Sequence, residues 1–377
     1  MRSLVFVIES LHLGGAEKSL VTLLQNLDYS QYKVDLITFH SGGFFRDMVP
    51  EEVNQIDIAF PTFSLKDRFV YALQRKIGSK RHHAQVFWPL VKKYFLRLEK
   101  EYDIAIAYNQ GFATYFVHDF VQANIKYAWL NTDYQKAGYA IGFDYPFYKD
   151  YDKVITVSPQ AEQSLKSSLQ NVGKLLDIEV IKDISDSKII EQQANQDLKI
   201  DFDGTKINIV SVGRLVEYKA FDLAVDACKI LVDKNYPIQW YVVGEGNERA
   251  SLEEKIQSSN LTANFYLLGA DPNPYPYMKA CDIYVQTSMF EGLGLTVIEA
   301  SILNKPIVCT NFPTAHGILK DGETGLIVEM NASTIAEAIE RLIRDEKLRE
   351  KLVNNLASLT NQHKETSLAQ IENLFDV

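Results

Sequence analysis

Short apolar strands alternating with amphipathic helices, run through once in each half of the chain, are what most restricts the fold of this sequence. In the first half, Ser3–Ile8, Val34–Phe39, Asp103–Ala107, Tyr127–Leu130 and Lys153–Val157 are rich in Val, Ile and aromatic residues and read as strands. Gly15–Leu27 between the first two carries leucines at helical spacing. The second half repeats the scheme with strands at Lys206–Val212, Ile238–Val243, Phe265–Leu268, Ile283–Thr287 and Pro306–Thr310, and helices near 221–234, 248–259, 295–303 and 333–344. Such alternation requires crossover connections, hence parallel sheets covered on both faces. The expectation is an α/β protein of two Rossmann-like, doubly wound domains, 1–185 and 205–377. The polar, poorly patterned stretch 186–204 would link them. Ligands of open α/β sheets bind beyond the carboxyl ends of the strands, so two such domains are expected to face each other across a cleft.

At 377 residues, with 46% apolar and 23% charged side chains, the chain has the composition of a globular protein with two cores. Cys228, Cys281 and Cys309 form no C-x-x-C pair and read as buried free thiols of a reducing compartment. The opening apolar run is too short for a signal-peptide core, and no run reaches the roughly 18 residues of a membrane span. The expected location is cytoplasmic.

The chemistry concentrates in Met289-Phe-Glu-Gly-Leu-Gly-Leu-Thr-Val-Ile-Glu-Ala300. Gly292 and Gly294 suit a tight turn, and a helix opening after them offers unpaired N–H groups and a positive dipole end to a phosphate. Glu291 and Glu299 flank that anion site. Carboxylates there are suited to accept hydrogen bonds from sugar and ribose hydroxyls, which suggests a nucleotide sugar. Arg214 and Lys219, in Val212-Gly-Arg-Leu-Val-Glu-Tyr-Lys219, follow the first strand of the second half. Alone they would pass for surface charges; beside the glutamate element they are suited to stabilise a departing pyrophosphate. Val243-Gly-Glu-Gly-Asn-Glu-Arg249 lacks the third glycine of a dinucleotide fingerprint and follows a second strand, so Gly244 is read as part of a turn lining the nucleotide pocket. Gly14 and Gly15 open the first helix, either as a plain strand-to-helix turn or as backbone brought close to the donor diphosphate.

These elements, in this order, resemble the retaining glycosyltransferases of family 4, also called group 1, with the two-domain GT-B fold. The resemblance implies that Arg214 and Lys219 hold the donor diphosphate and that Gly213 belongs to the same element. It implies further that Glu291 meets donor-sugar hydroxyls, Glu299 the ribose, and the backbone of Gly292, Leu293, Gly294 and Leu295 the phosphates. Enzymes of this kind need no metal and no cofactor. Asp150-Tyr-Asp152 and Asp201-Phe-Asp203 spell the metal-holding D-x-D of another glycosyltransferase fold, but neither follows a strand end. Two positions depart from the family. Asn131 stands where many relatives place a histidine near the donor sugar, leaving Asp133 as the nearest ionisable group; an amide is neither acid nor base. Ala220 replaces a frequent glycine, with little consequence expected.

The function implied is transfer, with retention, of a hexose-type sugar from a nucleotide sugar, UDP-linked by preference, to a glycan or lipid-linked acceptor of cell-surface polysaccharide. The alternative is a non-catalytic partner of the same fold. Residues 66–97 set nine cations against Asp67 alone and interleave them with Phe69, Tyr71, Phe87, Trp88, Tyr94 and Phe95. This stretch suggests peripheral docking on the anionic inner face of the membrane. No nucleic-acid motif accompanies it, and no nucleic-acid partner is expected.

Overall fold

The computed structural model describes residues 1–12, 14–60, 64–76, 81–357 and 362–376. The chain divides into two compact units, Met1–Ile184 with Ser367–Val377, and Ser185–Thr366.

The first unit holds β1 (Arg2–Ile8), β2 (Tyr32–Thr38), β3 (Asn54–Asp57), β4 (Glu101–Ala107), β5 (Gln122–Leu130), β6 (Lys153–Thr156) and β7 (Ile178–Val180). They form one sheet in the order β3-β2-β1-β4-β5-β6-β7, parallel throughout. The second unit holds β8 (Ile207–Val212), β9 (Ile238–Val243), β10 (Phe265–Gly269), β11 (Ile283–Gln286), β12 (Ile307–Thr310) and β13 (Leu326–Val328), ordered β10-β9-β8-β11-β12-β13 and again parallel. The doubly wound α/β class expected from the alternation is the one found.

Period-two alternation explains why both faces of the second sheet are dry. Ile209, Trp240, Val285 and Val308 point into one apolar cluster. Val210, Tyr241, Tyr284 and Ile307 point into another on the opposite face. Both clusters are closed by helices, through Val225 and Ile339 on the first and Val297 and Ala300 on the second. Cys228, Cys281 and Cys309 are buried free thiols, and burial pushes each up to about 12, which removes their nucleophilicity at neutral pH.

The unit boundaries differ from those expected in two places. The stretch 186–204 is not plain linker: Ser187–Ala194 is a helix, capped by the Asp186 carboxylate accepting from Lys188 N and Ile189 N. Its Ile190 and Ala194 are buried in the second unit's core, beneath a polar face that hid the helix from pattern reading. The last helix, Gln362–Phe375, carries the chain back, so that residues from 367 onward belong to the first unit. There Phe375 lies edge-on to Phe6 and Tyr32, with centroids 6.1 and 5.8 Å away. Arg2 donates to the carbonyls of Phe375 and Asp376, and Tyr127 Oη to that of Leu374.

The basic stretch is also more structured than a charged, aromatic surface. Trp88 and Phe95 are buried in the first unit's core and Phe87 packs against it. They are not available to a bilayer. Asp67 is engaged by Lys93 Nζ at 2.9 Å and by Tyr94 Oη at 2.6 Å, which hold its carboxyl well below the usual carboxylate range. Lys66, Arg68, Phe69, Leu96 and Arg97 remain exposed, Phe69 at 69% and Leu96 at 86%. Lys80 lies outside the described residues. No helix among the described residues is long and apolar enough to cross a membrane.

Because Phe375 is wholly buried against β1 and β2, Phe375→Ala is expected to cost the first unit about 3–5 kcal/mol. Urea unfolding followed by a probe in that unit measures it; a loss below about 1 kcal/mol would mean that the last helix is an accessory.

Candidate functional site

Strand order reverses in the second unit between β8 and β11, which pair directly through Ile283↔Ile209 and Tyr284↔Val210. The loops leaving their carboxyl ends diverge to opposite sides, and the crevice between them is where open α/β sheets hold ligands. Those loops carry Arg214 and Lys219 after β8, and Glu291 with the glycine pair after β11. Residues 72 positions apart are thereby made neighbours.

The two loops are stitched together. Met289 N donates to the carbonyl of Tyr218 at 2.8 Å, and Thr287 Oγ1 to that of Lys219 at 2.8 Å. Lys219 Nζ lies 2.6 Å from Glu291 Oε1, and both side chains are only 11–12% exposed. The same oxygen accepts from Ser288 Oγ at 2.6 Å and Gln286 Nε2 at 3.0 Å. Arg214 is exposed; its Nη2 donates to Tyr218 Oη at 2.6 Å, and the Tyr218 ring stacks on Phe290 with centroids 4.7 Å apart. Thus Lys219 and Glu291 are in contact, and Arg214 is held by the aromatic pair beside them.

Glu299 is 3% exposed on the helix Leu295–Ile302, with Oε1 accepting from Tyr275 Oη at 3.2 Å. Burial, reinforced by that carboxylate, raises the Tyr275 phenol well above its ordinary value, so it remains a donor. The helix's N-cap residue makes no side-chain capping bond. Its cap is Gly294, left-handed at φ 87°, and Leu293 beside it is buried. A Cβ on Gly294 would stand 2.6 Å from Ile318 Cδ1 and 3.4 Å from the Phe312 ring. The turn therefore depends on glycine for both its conformation and its packing.

Gly213 and Gly244 serve each other. A Cβ on Gly244 would come within 1.9 Å of the Gly213 carbonyl oxygen, and Gly213 N donates to Val243 O at 3.1 Å. This close backbone approach accounts for Gly244 without a ligand. The Lys219 stem lies over Gly213. Ala220 is left-handed at φ 49°, a conformation that costs an L-residue about 1–2 kcal/mol. Its replacement of a glycine is thus less innocent than the sequence reading had it.

In the first unit, Gly14 is the extended N-cap of the helix Gly15–Leu24, and Leu13 lies outside the described residues. The atoms nearest to a Cβ on Gly14 would be those of the Glu17 carboxyl group. Asn131 follows β5: Nδ2 donates to Tyr108 O at 2.7 Å, its backbone N–H to Gln110 Oε1 at 3.0 Å, and Oδ1 is buried without a hydrogen-bond partner among the described residues. Asp133 accepts from Gln135 N, Lys136 N and Ser164 Oγ, bonds that hold a turn. Glu9, just past β1, is pushed up to about 7 by burial and by Glu17. The D-x-D carboxylates serve local structure too: Asp150 meets His118, Asp152 accepts from Lys126 N, and Asp203 from Thr205.

Sequence reading missed Gln286, Ser288, Tyr218 and Tyr275. A glutamine closing the apolar strand Ile-Tyr-Val-Gln286 was the available signal for the first. Gly294→Ala is expected to destabilise the second unit by about 2 kcal/mol, from the left-handed backbone and the collision with Ile318. Urea unfolding measures the change; unaltered stability would remove the glycine requirement.

Residues 192–358 match the family described as glycosyl transferases group 1. A Campylobacter jejuni protein named N-acetylgalactosamine-N,N'-diacetylbacillosaminyl-diphospho-undecaprenol 4-alpha-N-acetylgalactosaminyltransferase is 30% identical over 210 residues, 54% of this chain and 55% of that one. The capsular polysaccharide biosynthesis glycosyltransferase CapM of Staphylococcus aureus is 34% identical over 146 residues, 38% of each chain. The chain spans about half the length of the curated relatives it matches. Among solved structures, Anabaena HepE in complex with UDP-glucose superposes with a TM-score of 0.74 at 17% identity, covering 100% of both chains. Sucrose-phosphate synthase of Thermosynechococcus elongatus gives 0.74 at 18%, covering 100% of this chain and 98% of that one. The fold, two Rossmann-like units in one chain, is the GT-B fold expected, and residues 192–358 are similar to the group 1 glycosyl transferases.

Proposed function

We propose that the chain transfers a hexose from a nucleoside diphosphate, uridine being the favoured base, to a lipid-linked glycan acceptor with retention of configuration. The observation that carries this reading is the Lys219–Glu291 contact beside a helix N-terminus. Together they set a cation, a carboxylate and the N-terminal end of a helix around one crevice. In the reaction the bond from the sugar's anomeric carbon to the phosphate oxygen breaks. The acceptor oxygen bonds to the same face of that carbon, and its proton passes to the departing diphosphate. Arg214 and Lys219 stabilise the negative charge on the leaving group, which develops most strongly in the transition state. The backbone from Gly292 to Leu295 takes the phosphates, Glu291 a sugar hydroxyl, and Glu299 a ribose hydroxyl. Asn131 Oδ1 accepts from a ligand hydroxyl at the carboxyl edge of the first sheet. No metal and no cofactor enters these steps.

The acceptor class rests on the Campylobacter relative, whose name specifies a diphospho-undecaprenol, and on the first unit's exposed cations and apolar side chains. Lys66, Arg68 and Arg97 with Phe69 and Leu96 suit the inner surface of an anionic membrane, where each cation contributes about 1 kcal/mol.

Arg214→Ala and Lys219→Ala are each expected to lower kcat on a UDP-hexose by about 10²-fold, the scale of losing a preorganised donor. Wild-type turnover by either folded variant would remove that residue from the mechanism. Titrating UDP into Glu291→Gln and Glu299→Gln separates their roles: the second should bind UDP more weakly, and the reverse order would exchange the assignments. Sedimentation with phosphatidylglycerol vesicles should be strong and salt-sensitive. It should fall at least tenfold when Lys66, Arg68, Phe69 and Arg97 are all changed to Ser, and an unchanged variant would end the docking proposal.

A further inference from the structure

We infer that Gln286 is a positioning residue for Glu291, fixing which carboxylate oxygen is presented to the transferred sugar and joining that oxygen to the phosphate-binding turn. This rests on the donor-hexose reading above. Gln286 closes β11 and is 1% exposed, so its amide has no water to fall back on. Strand alternation puts it on the same face as Tyr284, two residues earlier, and the helix Leu295–Ile302 covers that face.

All of its hydrogen-bonding capacity is used. Oε1 accepts from Tyr284 Oη at 2.7 Å and Thr296 Oγ1 at 3.1 Å. Nε2 donates to Ser288 Oγ at 2.7 Å and to Glu291 Oε1 at 3.0 Å. The chemistry of the partners fixes the orientation of the amide. An ionised Glu291 only accepts, so it must face the NH2. The Ser288 hydroxyl gives its single proton to Glu291 at 2.6 Å, so towards Gln286 it accepts.

The consequence lies at Glu291. Oε1 takes three donors, from Lys219, Ser288 and Gln286, whereas Oε2 accepts no hydrogen bond among the described residues. One oxygen is saturated by the protein and the other is left for a ligand hydroxyl. Thr296 stands in the first turn of the helix Leu295–Ile302, so a shift of the phosphate-binding turn would pull on the amide that holds Glu291. Glu291 acts on the sugar; Gln286 acts only through Glu291.

Two variants test this, with UDP binding and turnover of UDP-glucose and related UDP-hexoses as readouts. Gln286→Leu removes the donor at similar volume. It is expected to lower kcat about 10²-fold while leaving the UDP dissociation constant within threefold, because the amide touches no nucleotide group. Gln286→Glu supplies a signature that a purely structural residue lacks. Two carboxylates about 3 Å apart cannot both ionise cheaply, so one pKa of the pair is raised. Above that pKa the introduced carboxylate repels Glu291; below it, the protonated carboxyl donates to Glu291 as the amide did. Turnover by Gln286→Glu, relative to wild type, should therefore rise at least tenfold between pH 8 and pH 5.5. Wild-type kcat in folded Gln286→Leu, or a Gln286→Glu profile parallel to that of wild type, overturns the inference. If Gln286→Leu does not fold, the pH profile of Gln286→Glu decides alone. A wild-type protein that neither binds UDP nor turns over any UDP-hexose sinks the donor reading and this inference with it. Active wild type with an unaffected Gln286→Leu sinks only the inference.

Discussion

The direct pairing of β8 with β11 is the constraint on which the site depends. A parallel ladder aligns the carboxyl ends of its strands, so the loop after each must leave on the same edge of the sheet. Here that edge is also where the strand order reverses, so the two loops part around a crevice. Lys219 reaches Glu291 because of this ladder, and the backbone bonds from Met289 to Tyr218 and from Thr287 to Lys219 then fix the loops to one another. The close approach of Gly213 and Gly244 backs the first loop against the next strand's turn.

Within that frame the site is assembled from compensated charges. The Lys219 ammonium and Glu291 carboxylate are mostly buried, and each would be costly there without the other. The Glu291 carboxylate is in addition held by the protein donors Ser288 and Gln286. Arg214 differs: it is exposed and leans on the Tyr218–Phe290 stack, which restrains it at little desolvation cost. Glu299 is the most enclosed of these groups, fixed by a tyrosine that burial keeps protonated.

The architecture was legible in the sequence because strand and helix periods are local. Ten strands could be read directly from Val, Ile and aromatic runs. The edge strands Asn54–Asp57 and Ile178–Val180 escaped because neither is buried on both faces. The helix Ser187–Ala194 escaped because two core residues carry it beneath a polar face. The return of Phe375 to the first unit depends on contacts more than 300 residues apart, which no window can register. At the site, Glu291, Glu299, Arg214 and Lys219 stood out by residue type and spacing. Gln286 did not, because its role is set by four partners from strand, loop and helix, and a lone glutamine at a strand end has no chemistry of its own. Trp88 and Phe95 show the converse: read as membrane-facing, they are core.

The central claim is that the crevice beside β8 and β11 binds a nucleoside diphosphate that carries a hexose. Isothermal titration of the wild-type protein with uridine, UMP, UDP and a panel of UDP-hexoses tests it most directly. The account predicts affinity rising steeply from uridine to UDP, as the diphosphate meets Lys219, Arg214 and the helix N-terminus. It also predicts that at least one UDP-hexose binds at micromolar concentration and slowly releases UDP. Equal affinity for uridine and UDP, with no UDP-hexose bound below millimolar concentration, would contradict it.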